Sequence, residues 1–104
     1  MAFTMACPPA SKDVVKLVVA AASKVKFQTS TLVVLCETDP RPFYSESDGY
    51  GSISGTCVAQ SDGQLNSIIV ESTEGTPELV VLLDSTVDVR AGDTLSASIV
   101  LRWG

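Results

Sequence analysis

The chain contains no histidine. That absence removes Ser–His and Cys–His nucleophile pairs, imidazole acid–base chemistry and imidazole metal ligands in one step. Aromatic residues make up only 6% of the sequence, so the core must be built from Val, Leu, Ile and Ala, and little stacking surface is left for a sugar cleft. No apolar run approaches the roughly 18 residues that a membrane-crossing helix needs. Val14 to Ala22 imitates the apolar part of a signal peptide, but Lys16 interrupts it, Asp13 precedes it and no basic segment leads it, so we expect no secretion signal. A phosphate loop is missing too: Gly49-Tyr50-Gly51 has the wrong spacing and no lysine follows.

Cysteine occurs three times, as Cys7, Cys36 and Cys57. Their spacings match no zinc or redox motif, and an odd count does not make a closed disulfide framework. Cys36 and Cys57 lie in apolar runs, where free cysteine behaves as a small hydrophobe. Three free thiols made in a reducing compartment are the expectation.

What the chain has is valine and a lopsided charge. Its 104 residues are 45% hydrophobic, the size and composition of one globular domain with little apolar surface to spare. Valine dominates, and branching at Cβ suits a pleated strand better than a helix. Net charge is −5. Residues 1–30 hold four lysines, Lys12, Lys16, Lys24 and Lys26, against Asp13 alone, while the remainder holds three arginines against eleven acids. An acidic body repels phosphate, so nucleic acid is not an expected partner. The lysines have two readings: a solvated polar face, or a face for an acidic neighbour such as another copy.

Along the chain, residues 1–10 with Pro8-Pro9 predict an extended arm, either a loose terminus or one that docks on a neighbouring subunit through Phe3, Met5, Pro8 and Pro9. Residues 11–104 then form one domain. A helix is predicted over 11–24, capped by Ser11, with Val14, Leu17, Val18, Ala21 and Val25 as its buried face. Thr31 to Glu37 reads as a strand buried on both faces, ended by Asp39-Pro40-Arg41-Pro42. Phe43 to Gly51 reads as an acidic loop. Ile53 to Gln60 and Leu65 to Glu71 read as a hairpin through Asp62-Gly63, followed by Glu78 to Asp84 and Thr86 to Val89 as separate strands. The last strand alternates: Leu95, Ala97, Ile99, Leu101 and Trp103 against Thr94, Ser96, Ser98, Val100 and Arg102. The fold class predicted is mainly β, an antiparallel β-sandwich or jelly-roll-like domain with one short N-terminal helix.

Chemistry is left to the carboxylates Glu37, Asp39, Glu46 and Asp48. We read them as a solvated acidic loop, with a weak calcium site or a hydrolytic pair as the sharper options. Trp103 either closes one end of the core or anchors a neighbouring protein. Arg41, Phe43, Tyr44 and Tyr50 gather residue types that are common in binding surfaces.

The order of elements resembles small virion structural proteins of tailed bacteriophages, the decoration and fibre-like group. The resemblance rests on the helix Lys12 to Ala22, the segment Thr31 to Pro40 (TLVVLCETDP), Gly49-Tyr50, and the turn Ala91 to Leu95 leading into the strand that ends at Trp103. It implies a non-enzymatic capsid decoration or cement subunit. Its partners would be the major capsid protein or other virion subunits, in many copies on a lattice or as a homo-oligomer, with no cofactor, nucleic acid or membrane. The protein would be made in the host cytoplasm and located in the virion. Its contact residues would be Phe3, Met5, Pro8, Pro9, Arg41, Phe43, Tyr44 and Trp103. The alternative is a tail or fibre component that recognises a receptor or glycan through the loops around Tyr44 and Tyr50.

Overall fold

The computed structural model describes residues 1–103. Eight strands and one helix follow in the order β1 (Ala2–Ala6), α1 (Lys12–Ala21), β2 (Ala22–Thr29), β3 (Val34–Thr38), β4 (Arg41–Ser45), β5 (Tyr50–Val58), β6 (Gly63–Ser72), β7 (Pro77–Val89) and β8 (Thr94–Arg102). They make two four-stranded sheets. Sheet 1 runs β1-β8-β5-β4 and sheet 2 runs β3-β2-β6-β7. Every pairing is antiparallel except β1 with β8, which is parallel. The mainly β expectation with one short helix holds, while a jelly-roll winding is not confirmed by this order.

The core lies between the sheets. β8 alternates as read, with Leu95, Ala97, Ile99 and Leu101 all buried. Across from them stand Val25, Phe27, Ile68 and Val70 of sheet 2, each essentially without exposed surface. Ser11 caps α1 by accepting a hydrogen bond from the Val14 N–H.

The helix buries a different face from the one predicted. Val15 and Val19 enter the core, whereas Val14 and Leu17 stay 49% and 69% exposed. The valines at 14, 15, 18 and 19 allow two overlapping apolar stripes, and the predicted one borrowed Val25, which belongs to β2. Because β2 starts at Ala22 without any loop, its entry into sheet 2 sets the rotation of the helix. Val15 and Val19 then sit on Gly51: a Cβ there would lie 2.9 Å from Val19 Cγ2 and 3.1 Å from the Phe43 carbonyl oxygen. Gly51→Ala is therefore expected to cost about 1–3 kcal/mol through overpacking, checked by a urea melt against the wild type. A change of under about 0.5 kcal/mol, the range of neutral surface substitutions, would contradict this packing.

Several further readings are corrected. Residues 2–6 are not a free arm but the edge strand β1 of the chain's own sheet, because Ala2 to Ala6 register against Ser96 to Val100. The Met1 ammonium donates to the Thr94 carbonyl, and the Ser96 N–H donates to the Met1 carbonyl. The Thr31–Glu37 run is buried only at its end. Leu32 and Val33 sit in an exposed turn, and β3 is an edge strand with Leu35 and Cys36 inside. Phe43 to Ser45 belongs to β4, whose edge position tolerates Pro42.

Asp62-Gly63 does not close a hairpin, since β5 and β6 lie in different sheets. Asp62 Oδ1 instead accepts from the Ala91 N–H at 2.8 Å. Gly63 serves close packing, because a Cβ there would meet Leu35 Cδ2 at 2.9 Å. The two strands read after Glu78 are one, β7, with Leu82 opposite Ser67 and Val87 opposite Leu65, so the residues between form a bulge.

The three free thiols are also corrected. Cys36 and Cys57 form a disulfide between β3 of sheet 2 and β5 of sheet 1, with Cα atoms 6.1 Å apart. Both side chains face the core from opposite sheets, so apolar surroundings and pairing coexist. Cys7 alone is free, half-buried, and burial pushes its thiol pKa up.

Candidate binding face

Sheet 1 turns one side to the core and the other to solvent, and β1, β8, β5 and β4 each contribute alternate residues to the solvent side. The register builds it in rows. Ala2, Ser96 and Thr56 lie side by side, then Thr4, Ser98, Ser54 and Arg41, then Ala6, Val100, Ser52 and Phe43, and last Arg102, Tyr50 and Ser45. Most of this surface is small and hydroxylated, which makes it flat. Thr56 and Ser96 hydroxyls hydrogen-bond across it at 2.6 Å.

One end is different. The Phe43 and Tyr50 rings lie 5.5 Å apart in a tilted pair, and the Arg102 guanidinium carbon is 5.7 Å from the Tyr50 ring centroid, within the range of a cation–π contact. Phe43 is 46% exposed. None of the twelve carboxylates lies in β1, β4, β5 or β8. Among the described residues of these four strands Arg41 and Arg102 are thus the only charged side chains, and neither makes an ion pair. In a chain of net charge −5 this is a local reversal of sign.

The acids sit elsewhere and do not converge. Asp39 lies 3.5 Å from Lys24 Nζ. Glu46 pairs with Lys12, which draws its carboxyl below and the Lys12 amine above their ordinary pKa ranges. Asp48 accepts from the Ser45 hydroxyl at 2.8 Å, and Glu37 is exposed on β3. Among the described residues no group of three or more Cys, Asp or Glu gathers as a metal site. A polar cleft of about 390 Å³ borders the Arg41 end of the face, lined by Thr38, Asp39, Arg41, Ser54, Gly55 and Thr56. It holds a single carboxylate. No helix among the described residues is long and apolar enough to cross a membrane.

The predicted contact residues separate into three groups. Arg41 and Phe43 lie exposed on the outer face. Tyr44 and Trp103 stack on each other at 5.4 Å and, with Phe3 and Met5, pack half-buried against the core. These four line the inside of the sheet rather than a free surface. Pro8 and Pro9 are exposed in the link between β1 and α1. Of the lysines, Lys12, Lys24 and Lys26 pair with acids of the same chain.

Tyr50 was singled out by residue type but not counted among the contact residues, and Arg102 was missed. A signal for both was present: Ser52, Ser54, Thr56 and Ser96, Ser98 recur at every second position, which marks two strands with a common hydroxylated side ending in Tyr50 and Arg102. Comparison with known proteins returns no matching family, no matching curated sequence and no matching solved structure.

Proposed function

We propose that the chain is a non-enzymatic structural protein of a tailed-phage virion, a β-sandwich decoration subunit that binds the capsid shell through the outer face of sheet 1. The observation that carries this reading is the acid-free face that bears Arg41 and, at its other end, the cluster of Phe43, Tyr50 and Arg102. Arginine and aromatic residues dominate protein contacts, and a flat sheet of small side chains admits close approach. The Cys36–Cys57 bridge supports the same reading, because disulfides persist on virion surfaces and not in a reducing cytoplasm. Many copies on a lattice need only a weak contact each.

The double variant Arg41→Glu and Arg102→Glu is expected to fold with an unchanged melting temperature. It should lose at least about tenfold in affinity, on the scale of a few kcal/mol for desolvated charge pairs. The check is co-sedimentation with particles of the phage that encodes this chain. Undiminished binding of the variant contradicts the proposal.

A second reading, a tail or fibre component that recognises a glycan, is favoured by one observation. The same sheet that carries the Phe43–Tyr50 ring pair borders, at its Arg41 end, a cleft whose hydroxyl, carboxylate and guanidinium groups suit sugar hydroxyls. Electron microscopy of particles labelled on this chain separates shell from tail.

A further inference from the structure

The outer face of sheet 2 has the opposite character. Ile68 and Val70 are buried and stand opposite Val81 and Leu79, so Val80 and Leu82 of β7 point outward. They are 52% and 68% exposed and form an apolar ridge. Around it stand more carboxylates than amines, because Lys24 and Lys26 on the same side are taken up by Asp39 and Glu71. Glu71 is held by Lys26 at 3.0 Å, and Asp88 accepts from the Gln64 amide at 3.1 Å. Glu37 and Glu78 make no ion pair among the described residues.

We infer that the two outer faces are complementary surfaces of neighbouring copies: the sheet 1 face of one molecule packs on the sheet 2 face of the next. This rests on the reading of the sheet 1 face as the contact face and names a second partner for it. Charge complementarity selects the occupant. Sheet 1 against sheet 1 would set Arg41 and Arg102 against themselves, and sheet 2 against sheet 2 would oppose Glu37 and Glu78. Only the unlike pairing places arginines on free carboxylates and the Val80–Leu82 ridge on the flat hydroxylated surface beside Phe43. Such a contact is heterologous, so it leaves an unused face at each end and propagates.

Its size sets its strength. Four strands about 4.8 Å apart and five residues of about 3.3 Å each span a flat area of roughly 300 Å². That is well below the roughly 800 Å² per partner of a stable complex, so the association is weak, salt-sensitive and useful only when repeated. On a particle the shell and the next copy compete for the same sheet 1 face.

The test uses sedimentation velocity of the full chain over a range of concentrations at about 0.02 M and about 0.5 M salt, conditions that bracket weak and strong screening. Wild type is expected to associate with rising concentration and to weaken at least about tenfold in high salt. Arg41→Glu with Arg102→Glu, and separately Glu37→Lys with Glu78→Lys, should each stay monomeric while melting like wild type. An equimolar mixture of the two variants should associate again, because every unlike pair in it is once more complementary. A wild type that is monomeric throughout overturns the inference. So does association of either variant alone, or a mixture that fails to associate. Particle binding is scored separately. The Glu37→Lys, Glu78→Lys variant should still co-sediment with particles. Self-association without any particle binding removes the proposed virion role and leaves this contact standing, and the reverse removes this contact alone.

Discussion

Removal of residues 2–10 is expected to abolish, or nearly abolish, the cooperative unfolding transition. Strand β1 contributes a five-residue parallel ladder with β8, and beyond it the Cys7 and Ala10 N–H groups donate to Val100 and Arg102. Phe3 and Met5 pack half-buried against the core. Half-burial of two large apolar side chains is worth about 2–3 kcal/mol, and several lost backbone hydrogen bonds add about 1 kcal/mol each. The loss is then comparable to the roughly 5–15 kcal/mol that holds a small domain together. It also bares β8, the strand that supplies Leu95, Ile99 and Leu101 to the core, and leaves an open edge that favours aggregation. Urea melts followed by circular dichroism check this. A truncated chain with the wild-type midpoint would show that the segment is a free arm after all.

The second large effect belongs to the disulfide. Cys36 and Cys57 are 21 residues apart, and closing a loop of that length stabilises a fold by about 3 kcal/mol in the chain-entropy account. The pair also ties β3 to β5, which share no ladder because they lie in different sheets. Cys36→Ala with Cys57→Ala, or reduction of the wild type, is expected to lower the melting temperature by about 10–20 °C for a domain of this size. Thiol titration of the denatured, unreduced chain should find one reactive group, Cys7, and three after reduction. Three thiols before reduction would remove the bridge and the stability attributed to it.

How much could be read beforehand depends on the range of the forces involved. The β8 alternation and the Ser11 cap are local: a period of two and one side-chain acceptor suffice, and both were legible. The hidden features are long-range. Asp62-Gly63 has hairpin chemistry, yet β5 pairs with β8 and β6 with β2, so the decisive partners lie about 36 to 52 residues away along the chain. Val14 and Val15 look alike to any periodicity, and only the direct passage into β2 decides between them. The Cys36–Cys57 pairing depends on two sheets facing each other, which no spacing encodes. The contact residues were half legible. Arg41 and Phe43 emerged from residue type, whereas Tyr44 turned inward because the alternation of β4 sets it on the core side; Trp103 follows the apolar side of the β8 alternation, in line with its core-closing reading.

Hydrogen–deuterium exchange of the wild-type chain, free and bound to particles of the tailed phage proposed to carry it, tests the proposed binding face most directly. Protection is predicted in peptides covering Arg41–Ser45, Tyr50–Val58 and Thr94–Arg102, with exchange in Val34–Thr38 unchanged. Protection confined to sheet 2, or no protection under conditions where the chain co-sediments, would contradict it.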